Sequence, residues 1–316
     1  MKRKYKVLLY EKIDSKGVHI LEEKCEVVFA DSLDENSLLS RVKDVHGIIV
    51  RASGIVSRKI CIASPKLIVI GRHGNGVDNI DLEAAKEFGI RVVNTPDAGK
   101  ESIAEHFIGL AIMLLKKIRL ADISVRQGRW EARHELVGMD LYGKTLGIVG
   151  FGKIGRRIAQ ICHESFNMKV IYCRKQNALA IKENNFGEQL SLEDVFRYSD
   201  LISINVPLLP ETHGMVNSSL LKLMKKDSSI INMSRGPIWI EQDIARALQE
   251  KWIFGAASDV FECEPPKPEN PLLKMDNFIC TPHMSTHTKE SLERMSLVAL
   301  DVVSVLEGKK PQFPVV

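Results

Sequence analysis

The sequence predicts an α/β fold that consists of two doubly wound parallel-sheet domains. Short runs rich in Val and Ile alternate with longer amphipathic stretches along the whole chain, which is the pattern of a parallel sheet with helices on both faces. The length of 316 residues exceeds the size at which a single hydrophobic core stops growing. A glycine-rich segment at residues 150–155 also stands between a strand-like and a helix-like run, as in a strand–turn–helix unit.

The first domain is predicted to contain five strands within residues 1–98. Each strand is a short apolar run bounded by polar residues or Gly. The predicted strands are residues 6–10, 26–30, 47–51, 67–71 and 91–94. Helices are predicted between them, for example at residues 36–43 and 82–88.

The second domain is predicted to begin after a Pro-Asp-Ala-Gly turn at residues 96–99. Residues 102–119 are mostly apolar and predict one long buried helix. The strands that follow are predicted at residues 145–149, 170–173, 201–206, 229–233, 255–259 and 278–281. The last predicted helix, around residues 289–306, has no obvious place in this sheet, so we expect it to return to the first domain. The predicted domains are therefore 1–98 plus 286–316, and 99–285.

The composition excludes several classes of protein. Lys and Arg number 44 and Asp and Glu 40, and the basic residues are dispersed, so no nucleic-acid partner is predicted. No run approaches the roughly 18 apolar residues of a membrane helix, so no membrane partner is predicted. The six Cys residues are irregularly spaced without a C-x-x-C pair, which favours reduced thiols, a cytoplasmic location and no metal site.

The strongest motif is the glycine-rich turn after the strand-like run 145–149. Its G-x-G-x-x-G spacing provides a tight turn, then a close backbone approach to a pyrophosphate, then close packing of helix on strand. The helix N-terminus adds N–H donors and a positive dipole. The turn therefore predicts a bound dinucleotide. Its candidate cofactor-binding residues are Gly150, Phe151, Gly152, Lys153, Ile154 and Gly155.

The end of the next strand predicts which dinucleotide is preferred. A protein that prefers NAD(H) has an acid there, which binds the ribose 2′-hydroxyl. This chain instead has Cys173, followed by Arg174 and Lys175. A guanidinium pairs with a 2′-phosphate, which a carboxylate would repel. We therefore predict NADP(H) as the preferred cofactor and NAD(H) as the alternative; the two cations would otherwise only solvate a strand end.

A second glycine cluster, at residues 71–76, also follows a predicted strand. It lacks the third glycine of the dinucleotide motif, so no dinucleotide is assigned to it. Closely spaced glycines can expose N–H groups that form a nest for a small anion such as a carboxylate. A plain tight turn is an equally good interpretation of these residues.

Three strand ends in the second domain carry an arginine, a carboxylate and a histidine. Arg235, Glu264 and His283 follow the runs that end near residues 233, 259 and 281. Ligands bind at the carboxyl ends of strands in open α/β sheets. Arg can hold a substrate carboxylate by two hydrogen bonds, and His can exchange a proton near neutral pH beside a carboxylate that favours its charged form. Spacing alone leaves open a surface ion pair and a structural histidine.

With these motifs, the sequence resembles the D-isomer-specific 2-hydroxyacid dehydrogenase family, which includes phosphoglycerate dehydrogenases, hydroxypyruvate/glyoxylate reductases and D-lactate dehydrogenases. The resemblance covers essentially the whole chain. It implies a flavodoxin-like substrate-binding (lid) domain, a Rossmann dinucleotide-binding domain and a homodimer joined through residues 120–143. The segments that carry it are 73–81, 94–96, 150–155, 206–207, 234–236, 259–265 and 281–283.

The resemblance also implies individual roles. Arg235 is expected to hold the substrate's carboxylate and carbonyl, His283 to be the acid/base with Glu264 as its partner, and Asp259 to contact the nicotinamide carboxamide. The other cofactor-binding residues that it implies are Val206, Pro207, Thr212, Met233, Ser234 and His283. The substrate-binding residues that it implies are Arg51, Ala52, Ser53, Gly74, Asn75, Gly76, Arg235 and His283.

The predicted function is hydride transfer between NAD(P)H and a small 2-keto acid or 2-hydroxy acid, such as hydroxypyruvate or glyoxylate. One alternative is D-3-phosphoglycerate dehydrogenase, for which Arg51, Arg72 and His73 are candidate cations. The missing acid at Cys173 weakens a typical NAD-dependent enzyme of that kind. Another alternative is a dinucleotide-sensing, corepressor-like binding protein, against which the intact set of arginine, glutamate and histidine argues.

Overall fold

The computed structural model describes residues 5–174 and 187–316. The chain divides into two compact units: unit 1 comprises Met1–Gly99 and Thr286–Val316, and unit 2 comprises Lys100–Ser285. Each unit contains a parallel sheet, which confirms the predicted α/β fold. The predicted cofactor-binding residue Lys175 lies outside the described residues.

The described part of unit 1 contains one five-stranded sheet. Its strands are β1 (Tyr5–Leu9), β2 (Cys25–Phe29), β3 (Gly47–Val50), β4 (Val69–Arg72) and β5 (Arg91–Val93). Its first helices are α1 (Ser15–Glu22), α2 (Glu35–Arg41), α3 (Arg58–Ala63) and α4 (Leu82–Glu87). The strand order β2-β1-β3-β4-β5 is that of a flavodoxin-like doubly wound sheet.

The core of unit 1 lies on both faces of this sheet, because successive residues of a strand point to opposite sides. Val7 and Leu9 belong to one apolar cluster, with Val302 from the C-terminal part of the chain, and Leu8 belongs to the other. A Cβ atom at Gly71 would lie 2.7 Å from a methyl group of Val302. The glycine thus allows the C-terminal helix to approach the sheet closely.

Over residues 100–174 and 187–285, unit 2 contains one seven-stranded sheet. Its strands are β6 (Thr145–Val149), β7 (Lys169–Cys173), β8 (Glu188–Gln189), β9 (Leu201–Ile204), β10 (Ser229–Asn232), β11 (Gly255–Ser258) and β12 (Phe278–Cys280). Its helices are α5 (Lys100–Leu115), α6 (Ile118–Arg126), α7 (Lys153–Phe166), α8 (Leu192–Tyr198), α9 (Ser218–Leu221) and α10 (Glu241–Gln249). The order β12-β11-β10-β9-β6-β7-β8 reverses direction at β6, as in a Rossmann sheet.

Two of the predicted helices are each divided in the structure. The helix predicted at 102–119 ends at Leu115, because Lys117 has a left-handed backbone (φ 54°) that an α-helix does not contain. The helix predicted at 289–306 is divided at Leu297 into two helices. These are α11 (Lys289–Ser296) and α12 (Val298–Leu306). Within the described ranges, no helix has the length and apolar character to cross a membrane.

Candidate active site

The glycine-rich turn joins β6 to α7 and is tightly packed at two of its three glycines. Gly150 has φ 94°, and a Cβ atom there would lie 2.6 Å from the main-chain oxygen of Asn205. A Cβ atom at Gly155 would lie 2.4 Å from the carbonyl oxygen of Gly150. Around Gly152, in contrast, no atom of the described residues lies within 4 Å of such a Cβ, apart from the glycine itself and its two chain neighbours. The turn is therefore rigid at its ends and open at its centre.

Helix α7 begins directly at this open glycine. Gly152 is its N-cap residue, and no side-chain hydrogen bond at that cap is present in the described part of the chain. The first-turn N–H groups, including those of Lys153 and Ile154, together with the helix dipole create a positive end that favours an anion. Phe151 of the same turn stacks on Tyr172 with ring centroids 3.8 Å apart. These residues fit the pyrophosphate of a dinucleotide.

The end of β7 combines an uncharged thiol with a guanidinium. Burial, with the negative charge of Glu193 adding to it, raises the pKa of the Cys173 thiol to about 11, so the thiol is neutral at physiological pH. Nε of Arg174 donates a hydrogen bond to Oε1 of Gln189 on the neighbouring strand β8, at 3.2 Å. No acid thus takes the place of Cys173, although Glu193 lies close enough to affect it.

The loops after β9 and β10 adjoin each other. The Ser234 hydroxyl donates a short hydrogen bond to the carbonyl oxygen of Val206. The Thr212 hydroxyl donates to the carbonyl oxygen of Pro207 at 2.6 Å and closes the loop after β9. Met233 is buried, with 7% of its surface exposed. The structure brings these predicted cofactor-binding residues into two neighbouring loops, and their contacts with a cofactor stay a prediction.

Glu264 and His283 form a hydrogen-bonded pair. Nδ1 of His283 lies 2.8 Å from Oε2 of Glu264, and both side chains are about 40% exposed. Oε1 of Glu264 accepts the main-chain N–H of Phe261 at 3.1 Å. Burial would raise the pKa of the Glu264 carboxyl, but the hydrogen bonds from His283 and Phe261 and the positive charges of His283 and Arg235 outweigh it and lower that pKa. The carboxylate is therefore charged and oriented.

Arg235 approaches the same carboxylate from the end of β10. Its Nη1 donates to the carbonyl oxygen of Ser234 at 2.8 Å, and its own carbonyl oxygen accepts the side-chain amide of Asn232 at 2.9 Å. A Cβ atom at the next residue, Gly236, would lie 1.9 Å from the carbonyl carbon of Phe261. The turn that carries Arg235 therefore packs directly on the chain that leads to Glu264.

The turn that carries His283 is organised by Asp259. His283 has φ 51°, which is uncommon for a residue other than glycine. Its main-chain N–H donates to the carbonyl oxygen of Asp259 at 2.8 Å. The buried Asp259 carboxylate accepts the Thr281 hydroxyl at 2.6 Å and the N–H groups of Met284 and Ser285, both at 2.9 Å. A contact of Asp259 with a nicotinamide carboxamide stays a prediction.

The loops of unit 1 that were predicted to bind substrate donate several N–H groups within the unit. The Glu11 carboxylate accepts the N–H of Arg51 at 2.8 Å and that of Ser53 at 3.1 Å. The N–H of Gly74 donates to the hydroxyl of Thr95 at 3.0 Å, which removes this donor from the predicted anion nest. The other predicted residues of these loops are partly or fully exposed: Ala52, Asn75 and Gly76.

His73 is not a cation at neutral pH. Its side chain is 3% exposed, and burial together with the charges of Arg51 and Arg72 lowers its pKa to about 3. The expectation that His73 adds positive charge for a phosphate group is therefore wrong.

Two residues near the site were not indicated by any sequence pattern. Gln189 lies on a strand of two polar residues, so no apolar run marks that strand. Glu241 is an acidic residue in the first turn of a helix, which is a common position for acids. Only their contacts in the folded chain distinguish them.

Known proteins are similar to this chain in sequence and in fold. A family model described as D-isomer specific 2-hydroxyacid dehydrogenase, NAD binding domain, matches residues 108–285. A D-3-phosphoglycerate dehydrogenase of Methanocaldococcus jannaschii is 39% identical over 96% of this chain, which spans 58% of the length of that relative. A glyoxylate reductase of Pyrococcus furiosus is 35% identical over 98% of this chain and 94% of its own length.

A solved structure is also similar over nearly its whole length. The NADPH-dependent glyoxylate/hydroxypyruvate reductase of Sinorhizobium meliloti, in complex with NADP and malonate, matches with a TM-score of 0.88 and 30% identity. The match covers 99% of this chain and 97% of that one.

Proposed function

Because the chain belongs to the D-isomer-specific 2-hydroxyacid dehydrogenase family of NAD(P)-dependent oxidoreductases, we propose that it reduces a small 2-keto acid to the 2-hydroxy acid. Glyoxylate and hydroxypyruvate are the proposed substrates, because relatives similar over nearly their full length carry those names. The observation that carries the proposal is the hydrogen-bonded pair of Glu264 and His283 beside Arg235.

Each of these side chains has a defined task in the proposed reaction. Arg235 pairs with the substrate carboxylate and polarises the carbonyl. Since Nδ1 of His283 is bound to Glu264, the other ring nitrogen, Nε2, faces the substrate and gives its proton to the carbonyl oxygen. The bound nicotinamide cofactor supplies the hydride to C2. The products are the 2-hydroxy acid and the oxidised cofactor.

We propose NADPH as the preferred cofactor. The neutral Cys173 thiol does not repel a 2′-phosphate, and the guanidinium of Arg174 can pair with one. The negative charge of Glu193 acts in the opposite direction, so NADH is retained as a weaker cofactor.

D-3-phosphoglycerate oxidation is the second candidate. The 39% identity to the Methanocaldococcus jannaschii enzyme favours it, although the chain spans only 58% of that relative's length. The neutral state of His73 weakens it, because a phosphorylated substrate then finds one cation fewer in unit 1.

We also propose a homodimer in the cytoplasm. Large apolar side chains in the segment expected to join the subunits are exposed: Trp130 at 62%, Val137 at 72% and Tyr142 at 72%. A second subunit would cover them, and sedimentation equilibrium distinguishes a dimer from a monomer. The thiols, none of which forms a disulfide among the described residues, agree with a reducing compartment.

The experiment is a panel of 2-keto acids, assayed in parallel with NADPH and NADH, with D-3-phosphoglycerate and the oxidised cofactors as the reverse arm. His283→Ala is expected to lower kcat about 10²- to 10⁴-fold, because general acid catalysis is worth that much, with a smaller effect on the Kd of NADPH. The matched control is His19→Ala, which removes an exposed histidine on α1.

Two results would contradict the proposal. Near-wild-type turnover of His283→Ala would remove this residue from the role of acid. Cofactor binding without oxidation by any member of the panel would instead support a dinucleotide-sensing binding protein.

A further inference from the structure

Glu241 is a buried carboxylate that has no task in the proposed reaction. It is the first residue of α10, and only 9% of its surface is exposed. A buried charge is costly unless it is hydrogen-bonded. Its Oε1 accepts the main-chain N–H of Glu262 at 2.7 Å, and its Oε2 accepts the side-chain amide of Asn270 at 2.6 Å. One carboxylate thus binds both ends of the segment 262–270.

The contact between Glu241 and Glu262 is reciprocal. The main-chain N–H of Glu241 donates to Oε1 of Glu262 at 2.9 Å. No side-chain hydrogen bond caps the helix at Ile240 in the described part of the chain, so the loop supplies the acceptor for the helix N-terminus. The positive end of the helix dipole stabilises both carboxylates. The loop and the helix therefore hold each other.

The segment that is fixed in this way carries Glu264. Residues 262–265 are exposed, so little else packs on this part of the chain. Glu264 follows Glu262 by two residues and precedes Asn270 by six. Phe261, which directly precedes Glu262, is buried, and its main chain packs against Gly236, the residue after Arg235. The two anchors on Glu241 thus lie on either side of Glu264 in the chain.

We propose that Glu241 is a positioning residue, which fixes the loop of Glu264 and so holds that carboxylate on Nδ1 of His283. The hydrogen bonds of Glu241 establish the anchoring of the loop, and the expected effect on the reaction rate rests on the proposed function. A shift of about 1 Å in a group that supports the chemistry can cost large factors in rate.

Glu241→Gln tests the proposal with almost no change of volume. It replaces one acceptor oxygen by an NH₂ group, which then faces the N–H of Glu262 or the amide of Asn270. Asn270 cannot turn its amide over without loss, because its Oδ1 accepts the N–H of Leu272 at 3.0 Å. One donor of the loop is therefore left without its acceptor, and the loop loosens.

The expected kinetic result is specific. In Glu241→Gln, kcat for reduction falls about tenfold, as for one lost charge-assisted hydrogen bond. The decline of kcat/KM with rising pH moves to lower pH, because a displaced carboxylate stabilises the imidazolium less. The Kd of NADPH stays unchanged. A merely structural role would lower the stability without moving the pH profile.

A swapped pair and a matched control complete the design. Asn270→Asp alone places two carboxylates against each other and is expected to shift the pH profile in the same direction. The double variant Glu241→Gln with Asn270→Asp restores complementary partners, since the new carboxylate accepts from both Gln and Leu272, and the profile returns. Asp243→Asn changes the same helix turn, but its carboxylate accepts the N–H of Ser218, so the profile is expected to stay that of the wild type.

The NMR titration of the His283 imidazole, assigned with His283→Ala, gives a readout that does not need activity. The midpoint is expected to move down in each single variant and to return in the double variant. Unchanged midpoints and pH profiles in both single variants would overturn the proposal. An inactive wild type whose midpoint still responds to Glu241→Gln would refute the proposed function and leave the positioning role standing.

Discussion

Both sheets are parallel and doubly wound, but the polar groups at their carboxyl edges differ: more of them are left exposed in unit 2, and more of them are hydrogen-bonded within the fold in unit 1. In unit 2, α7 begins at Gly152 without a side-chain cap among the described residues, and the side chains of Glu264 and His283 are about 40% exposed. In unit 1, the Asp81 carboxylate caps α4 by accepting the N–H of Ala84 at 2.8 Å, and Gly74 donates to Thr95.

This difference indicates which edge can bind a ligand. A polar group that is satisfied within the fold adds rigidity, whereas a donor or acceptor that faces water is available to a ligand at low cost. The edge of unit 2 therefore presents the groups that can do chemistry. In the described loops of unit 1, several N–H donors are already bound within the unit: the Glu11 carboxylate, for example, accepts the N–H groups of Arg51 and Ser53.

The largest expected effect is a loss of folding stability at low pH, and its cause is the buried His73 in unit 1. Below pH 6.5 the unfolded chain takes up a proton at this imidazole, whereas the folded chain, with its pKa lowered to about 3, does not. Stability contributed by the neutral ring is therefore complete above pH 6.5 and declines as the pH falls. Between about pH 7.5 and about pH 4.5 the loss is about 3 kcal/mol.

Urea unfolding across this pH range measures the effect. His73→Gln is expected to be less stable at neutral pH, because the ring is buried, and to lose less stability on acidification than the wild type. His19→Gln, at an exposed position, should keep the wild-type pH dependence. Identical slopes for the wild type and His73→Gln would show that this histidine is not held neutral.

The second effect sharpens the contrast between the arginines of the two edges. Lys in place of Arg235 keeps the charge but not the two-pronged hydrogen bonding, so about 1.5–3 kcal/mol of binding to the carboxylate is lost. We expect kcat/KM to fall about 10- to 100-fold in Arg235→Lys. Arg51→Lys should cost less, because Nη1 of Arg51 donates to the carbonyl oxygen of Lys12, which an ammonium can also reach. Equal losses in steady-state assays would erase the distinction.

The smallest expected effects are those of adding a methyl group at Gly152 in unit 2 and at Gly74 in unit 1. Gly152→Ala adds a Cβ atom in empty space, so the melting temperature without cofactor should not change. The Kd of NADPH should rise about tenfold, because the methyl group obstructs the backbone's approach to the pyrophosphate. Gly74→Ala forces a side chain to φ 128° and close to Arg72, which should cost about 1 kcal/mol of stability.

Calorimetry and cofactor titration on the same two variants check this pair. The comparison fails if Gly74→Ala weakens cofactor binding as much as Gly152→Ala does.

Local patterns were sufficient for most strands but not for every element. Strand β6 was predicted with its observed ends, Thr145–Val149, because apolar runs between glycine and polar residues mark buried parallel strands. Strand β8 was not predicted, since its two polar residues pair with β7 only through the main chain. The division of the helix at Lys117 depends on a single left-handed residue that apolar periodicity does not reveal.

The sequence by itself determined the fold class, the family, the glycine-rich turn and the three strand ends that carry Arg235, Glu264 and His283. These features are local: each depends on residue type and on spacing over a few positions. Only the tertiary structure decided which donor meets which acceptor and which ring is buried. The pairing of Glu264 with His283, the anchoring of a loop by Glu241 and the neutral state of His73 join residues far apart in the chain. Their reason is physical, because hydrogen bonding and ionisation depend on distance and burial in the folded chain.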